Sequence, residues 1–322
     1  MNEEAKQKLT ELSEMLAEGV KAFRSSDQWM EYLKMQSRMP KYSFNNTILI
    51  LMQSKGQATM CQSFTGWKAM DRNVKRGEKG LKIICPTPYK RYEYEPKKDE
   101  QGNVIKAADG TVVKEKVCHT MQGYKVGYTF DVTQTEGKEL PEICRHLDGS
   151  VEGAEELIGV LQEIAPVPMH IEAVDGRANG YYSPSAKQIV VDDSLSQNMQ
   201  VRTGIHEIAH AILDLSGADN GASRELRETE AESIAFVVMA HLMGDKMNTD
   251  EIGQYSFGYL NSWASTDDLT EMKQAMATIQ RTSTDIIDRI ESVYKEREKA
   301  VEKVAEAAKA TQTVSAHTGA HM

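Results

Sequence analysis

Apolar residues near the start of the chain recur every three or four places: Leu9, Leu12, Leu16 and Phe23, then Trp29, Tyr32, Leu33 and Met39. That spacing predicts two amphipathic helices, over 4–23 and 27–38, the second closed by Pro40. "YSFNNTILILMQS" restarts a short apolar helix with Ser43 as its N-cap. "LKIICP" (Leu81–Pro86) and "YKVGYTFDV" (Tyr124–Val132) are apolar and β-branched and read as strands. Between them, the polar, glycine-containing "EPKKDEQGNVIKAADGTVVKEK" (Glu95–Lys116) reads as a mobile hairpin excursion with little core of its own.

"DVTQTEGKELPE" (Asp131–Glu142) reads as a linker. A second unit opens near residue 150 with a helix over Gly153–Ile164, stopped by "PVP". "MHIEAV" and "KQIVVDD" read as strands, joined through the turn-rich "DGRANGYYSPS". Ser194, three residues before Gln197, gives a capping-box signal for the next helix, which should stop at Ser216-Gly217. A strongly apolar helix follows over about Ser223–Met243. The last forty or so residues form a Lys/Glu-rich amphipathic helix, with "TQTVSAHTGAHM" beyond it frayed. The expected fold class is α+β: a first domain over 1–135, a second over 150–245, and a helical extension and tail over 246–322.

The helix before Ser216 carries "TGIHEIAHAILDL". Residues i and i+4 project from one helix face, so His206 and His210 can hold one ion between their imidazoles, with Glu207 beside it. A catalytic zinc takes a third protein ligand and leaves its fourth position to water. The following helix offers Glu228 and Glu232, four apart, next to Ala231 and Ala235, which permit close helix approach. Most glutamates are solvated, but Ile234, Phe236, Val237, Val238 and Met239 make the next turns apolar on nearly every side. This helix therefore enters the interior and brings its acidic turn with it.

Glu228 is assigned as the ligand and Glu232 as an outer carboxylate accepting the free N–H of a liganding imidazole; the reverse assignment stays open. Glu207 is then the general base for zinc-assisted amide hydrolysis, with one Zn2+ per chain. Tyr181 or Tyr182, in a stretch placed to supply a substrate-holding edge strand, is a candidate donor to a developing oxyanion. His241, more than three turns past Glu228, reads as structural.

Charge changes the picture of the first half. The 322 residues carry a net charge of −10, which alone argues against a nucleic-acid partner. Yet between Lys41 and Lys98 twelve Lys/Arg face four Asp/Glu. Tyr42, Phe64 and Trp67 interleave there with Lys68, Arg72, Lys75, Arg76, Lys79 and Lys82, the mixture of flat rings and cations that single-stranded nucleic acid requires. The bland alternative is a core Trp and a solvated Lys/Arg face. Cys61, Cys85, Cys118 and Cys144 form no C-x-x-C pair, which fits a reducing cytoplasm. No secretory leader and no long apolar run suggests a membrane.

The pairing of "HEIAH" with "E-x-x-A-E-x-x-A" resembles the zincin-type domain of the ImmA/IrrE group and of ArdC-type antirestriction proteins. In the first half, "YSFNN", "AT", "GW", "R-x-V-K-R-G-E-K-G" and "YTFDVTQT" occur in the order found in the ArdC-type N-terminal domain. That resemblance implies single-stranded DNA as partner, with Asn45 of "YSFNN" among the candidate contacts, and an antirestriction or DNA-protecting role during conjugative transfer. Three rivals stand beside it: a non-catalytic DNA-binding protein with a structural zinc, a regulatory peptidase cleaving a repressor, and an interaction protein oligomerising through its tail. A purely structural site has no use for Glu207, which weighs against the first of these. The protein or peptide substrate is not specified by any motif.

Overall fold

In the computed structural model, residues 3–22, 25–140, 151–218, 221–244, 257, 259–264 and 269–318 are described. Helices α1 (Glu3–Ala22) and α2 (Ser26–Arg38) form where the apolar spacing placed them. Helix α3 (Phe44–Ser54) begins at the expected cap, Ser43, whose side chain accepts from the Asn46 amide, and ends where Lys55 takes a left-handed φ of 52°. A short β1 (Cys61–Gln62), helix α4 (Phe64–Ala69) and β2 (Arg72–Val74) lead into the dominant feature of this half.

That feature is an antiparallel ribbon of β3 (Leu81–Pro96) and β4 (Lys114–Asp131), paired without interruption from Leu81↔Thr129 to Pro96↔Lys114. Both strands therefore run well past the expected Leu81–Pro86 and Tyr124–Val132, up to the expected hairpin excursion at 95–116, within which Lys98↔Val104 and Lys106↔Val112 form isolated bridges. A ribbon with two wet faces shows no apolar alternation, so the hydrophobic pattern did not report it. Its outer end is closed by side-chain turns: Asp99 Oδ1 accepts from the amides of Gln101 and Asn103, and Asp109 Oδ1 from that of Thr111. At its base, α3 covers the free edge of β3. The Asn46 carboxamide exchanges two hydrogen bonds with the Ile84 backbone, and Gln53 does the same with Lys82.

The expected linker begins as structure. Asp131 accepts from the amides of Thr59, Met60 and Thr133, while Gln134 reaches back to the Asp131 amide. β5 (Thr135–Gly137) then pairs with β2. The remaining linker positions, 141 and 142, lie outside the described residues.

In the second half, α5 (Val151–Ile164) precedes a mixed three-stranded sheet of order β6-β8-β7. Here β6 (Met169–Glu172) runs parallel to β8 (Gln188–Asp192), and β7 (Gly180–Ser183) is an antiparallel edge strand. Helix α6 (Gln197–Leu215) is capped by Ser196, two residues later than the Ser194 signal. The Ser194 amide is taken by the Asp192 side chain in a turn, and the Gln200 carboxamide ties the carbonyls of Asp193 and Leu195, which holds the chain extended until Ser196. α7 (Arg224–Met243), α8 (Leu260–Ala264) and α9 (Thr270–Thr318) complete the described chain.

Helix α7 is buried on nearly every side after its first turn, as its composition predicted. α2 covers one flank, where the fully buried Trp29 donates from Nε1 to Ser233 Oγ at 3.0 Å and packs against Trp263 with ring centroids 5.4 Å apart. α9 covers another with Met276, Ile279, Ile286 and Ile290, so the helix starts earlier than the tail pattern suggested and its first half is core. His241 is structural, its Nδ1 2.8 Å from the Ser37 carbonyl. One continuous apolar interior thus joins α2 and α3 to α5, α6, α7 and α9. No described helix is long and apolar enough to cross a membrane.

Candidate metal centre and basic surface

Packing α6 against α7 brings together the faces that the two i, i+4 pairs define. His206 Nε2 lies 3.1 Å from His210 Nε2 and 3.5 Å from Glu228 Oε2, and His210 Nε2 is 3.6 Å from the same oxygen. Two donors on a tetrahedral zinc, each bonded at about 2.0–2.1 Å, stand about 3.3–3.4 Å apart. The three atoms therefore form a triangle of the size a single ion requires, and the set of two imidazoles and a carboxylate suits zinc chemistry.

Glu232 stands behind this triangle. Its Oε2 is 3.1 Å from His206 Nδ1, off the line of the ring N–H, so the contact is ionic rather than a well-aligned hydrogen bond. Its other oxygen pairs with Arg202, both side chains being only 12% exposed. Burial alone would lower the His206 pKa, but contacts with Glu228 and Glu232 more than offset it and push it up to about 9. The same imidazoles hold the Glu228 carboxyl far below the usual carboxylate range.

Glu207 is 8% exposed. Burial raises its pKa, opposed by the charges of His206 and His210 and by the backbone N–H of Tyr182. A desolvated carboxyl beside the triangle is suited to exchanging a proton with whatever enters the cleft. That cleft, about 570 Å³, is lined by Gly180, Arg202, His206, Glu207 and Glu228 and continues past Tyr181, Tyr182 and Arg227. β7 can lie so close to α6 because residue 180 is glycine: a Cβ there would stand 2.8 Å from Thr203 Cγ2 and 2.7 Å from the Val190 carbonyl oxygen. The two tyrosines differ in availability. Tyr182 donates to Asp214 Oδ2 at 2.8 Å, and burial together with that carboxylate pushes its pKa up to about 12, whereas Tyr181 is 43% exposed.

Comparison with protein families follows the same division. A model of the N-terminal domain of anti-restriction factor ArdC matches residues 3–127, and a model of the IrrE N-terminal-like domain matches residues 165–254. The chain joins an ArdC-type N-terminal domain to an IrrE-like domain. A curated relative, the uncharacterized protein pXO2-81 of Bacillus anthracis, is 24% identical across 91% of this chain, which spans about half (52%) of that protein's length. Crystal structures of the antirestriction protein ArdC from plasmid R388 are similar at 18% identity in the metal-free form and 17% in the Mn(II)-bound form. Their TM-scores are 0.43 and 0.41; each comparison covers 77% of this chain, and 85% and 83% of the respective ArdC chain. The three-donor triangle lies within the IrrE-like match and most of the ribbon within the N-terminal match.

In the ArdC-type N-terminal half, several residues expected to touch nucleic acid are structural. Trp67 is fully buried, with Nε1 donating to the Phe130 carbonyl at 2.8 Å, so no base can stack on it. That hydrogen bond ties the short helix α4 to β4. The Tyr42 hydroxyl is held by Thr129 Oγ1 at 2.6 Å. Arg72 fastens β2 to β5 through Thr135 and lies over the Trp67 ring, and Lys75 donates to the Thr133 carbonyl. Asn45 and Lys82 are half-buried, and Phe64, Lys68, Arg76 and Lys79 remain exposed. Gly77, at φ 92°, forms the open turn of "KRGEKG", whereas Gly80 is pressed against the Phe130 ring. Apart from Phe64, the exposed aromatic side chains described in this half lie on the ribbon: Tyr89, Tyr92, Tyr94, Tyr124 and Tyr128. The alternating "YEYE" of β3 was its signal in the sequence, unread because the strand was ended at Pro86.

Proposed function

We propose that this chain is a zinc-dependent metallopeptidase joined to a single-stranded-DNA-binding half, acting in the cytoplasm in antirestriction or DNA protection during conjugative transfer. The division of labour follows residues 1–135 for DNA and 150–245 for hydrolysis, with 246–322 as supporting helical extension. The observation that carries the reading is the triangle of His206, His210 and Glu228 with a buried, unligated Glu207 at its side. A zinc ion held by those three donors supplies Lewis acidity to a water and to the scissile carbonyl.

The chain's own groups do the rest. The free edge of β7 offers backbone hydrogen bonds to an extended peptide, which lays the amide along α6. Glu207 accepts a proton from the attacking water and returns it to the leaving amine. Tyr181, whose hydroxyl is not held by Asp214, is the better placed of the two tyrosines to donate to the oxyanion. Glu232 orients His206 and balances Arg202. The free thiols of Cys61, Cys85 and Cys118 accord with a reducing compartment.

The deciding experiment measures metal content and proteolysis together. One zinc per chain is expected in the wild type and in Glu207→Gln, with loss in Glu228→Ala. Candidate proteins incubated with and without single-stranded DNA should be cleaved by the wild type and not by Glu207→Gln. A wild-type chain that takes up no metal overturns the peptidase reading, and equal DNA protection by wild type and Glu207→Gln moves the function to the DNA-binding half alone.

A further inference from the structure

Directly opposed residues of an antiparallel ribbon share a face, so the β3–β4 register sorts its side chains into two sets. One set contains the rungs Lys82↔Tyr128, Pro86↔Tyr124, Tyr92↔Cys118 and Tyr94↔Lys116. These four tyrosines are 48–69% exposed. Lys90 and Lys114, opposite Thr120 and Pro96, lie on the same face, so its charged side chains are all lysines. The carboxylates of the paired rungs, Glu93, Glu95 and Glu115, all fall on the other face, whose base carries Leu81 and Ile83 packed against the core.

Directly opposed cross-strand charges do not account for this segregation. Tyrosine is a good strand former, but ribbons are stabilised by opposite charges across the strands and weakened by like charges directly opposed. Here Glu95 stands opposite Glu115 while Lys116 stands opposite Tyr94, with Lys116 Nζ 4.5 Å from the Tyr92 ring centroid. On the acidic face Glu93 is paired with Arg91 at 2.8 Å and Glu95 with His119 at 2.6 Å, whereas the lysine face holds no carboxylate among its paired rungs. The arrangement instead keeps one face free of negative charge along its whole length, with rings spaced between cations.

We propose that the Tyr92/Tyr94/Tyr124/Tyr128 face of the ribbon is the surface on which single-stranded DNA lies, bases stacked on the tyrosines and phosphates tracked by Lys82, Lys90, Lys114 and Lys116. This rests on the DNA-binding reading above and gives that reading a location. The rungs from Lys82 to Tyr94 span roughly 40 Å at about 3.3 Å per residue, long enough for a multi-nucleotide footprint. Unpaired bases are required because a tyrosine ring reaches a base face only when that base is unstacked from its neighbours.

The test is fluorescence-anisotropy titration of labelled dT20 with the full chain. Tyr92→Ser/Tyr94→Ser should weaken binding by about 5- to 140-fold for each stacked base lost, whereas Tyr92→Phe/Tyr94→Phe should bind as wild type does. Tyr89→Ser supplies the control, because Tyr89 is 52% exposed but lies on the opposite face, and it should leave affinity unchanged. Lys90→Ser/Lys116→Ser should reduce the steepness of the log affinity against log salt plot by about 1.4. Circular dichroism of each variant identifies a ribbon that has failed to fold, in which case the lysine pair and the salt slope decide. Wild-type binding with no response to the ribbon variants overturns this placement and leaves the DNA-binding reading standing. No wild-type binding to dT20 overturns both.

Discussion

Replacing Glu232 by Gln removes one charge and almost no volume, and the structure predicts two separable consequences. His206 loses the carboxylate 3.1 Å from its Nδ1, and losing such an outer partner weakens metal binding by about 10- to 100-fold, or about 1.4–2.8 kcal/mol. Arg202 loses the partner of its ion pair in a setting where both side chains are 12% exposed. Removing one member of a buried pair costs about 3–5 kcal/mol, and the residual exposure makes that an upper bound here. Urea unfolding of the metal-free protein reads the second effect, and competition against a chromophoric zinc chelator reads the first. Adding Arg202→Met should recover most of the stability, since the cation is gone, while leaving metal affinity at the Glu232→Gln level. Wild-type metal affinity in a folded Glu232→Gln protein would refute the reasoning. Loss of metal in Glu232→Gln with retention in Glu228→Gln would exchange the roles of the two glutamates.

Trp67→Ala should destabilise the chain by about 3–5 kcal/mol as a core truncation, measurable by urea denaturation; a stable variant that has only lost DNA affinity would contradict its burial. Because the His206 pKa is raised to about 9, metal must displace a proton at neutral pH. Apparent affinity should climb about tenfold per pH unit toward pH 9 and then level, with proton release seen calorimetrically in buffers of different ionisation enthalpy. The sign for stability is opposite: in the metal-free protein the His206 contribution is fully present below its ordinary pKa of 6.5 and is lost as pH rises through about 9. Glu291, held down to about 2 by His241 against the effect of burial, with Lys295 assisting, contributes stability that is present above its ordinary pKa of 4.5 and is lost as pH falls through about 2. Glu291→Gln should flatten that acid limb in a pH-dependent melt.

The parts of this protein legible in its sequence are those governed by helix geometry. An i, i+4 pair shares a face whatever surrounds it, so His206 with His210 and Glu228 with Glu232 could be placed before their helices were known to touch. The all-round apolar run of α7 likewise identified a buried helix. The ribbon was not legible in the same way. With Leu81 and Ile83 packed at its base and water on both sides further out, its polar–aromatic alternation resembles a loop, and only the pairing partner converts Tyr92 and Tyr94 into one surface with Lys116. Trp67 failed for a different reason: a ring beside lysines reads alike whether it faces water or the interior, and the deciding contact, Phe130, lies 63 positions away.

The seam between α2 and α7 has a consequence for how such chains can be taken apart. Trp29 reaches across it to Ser233, the residue next to Glu232, and Trp263 closes over the indole. Cutting between residues 140 and 150 would leave each piece with half of an oily interface and no lid for it. The two matched regions thus share one interior, and a chimera that exchanges one half for a distant counterpart must keep α2 matched to α7 to hold the acidic turn in register with the histidines.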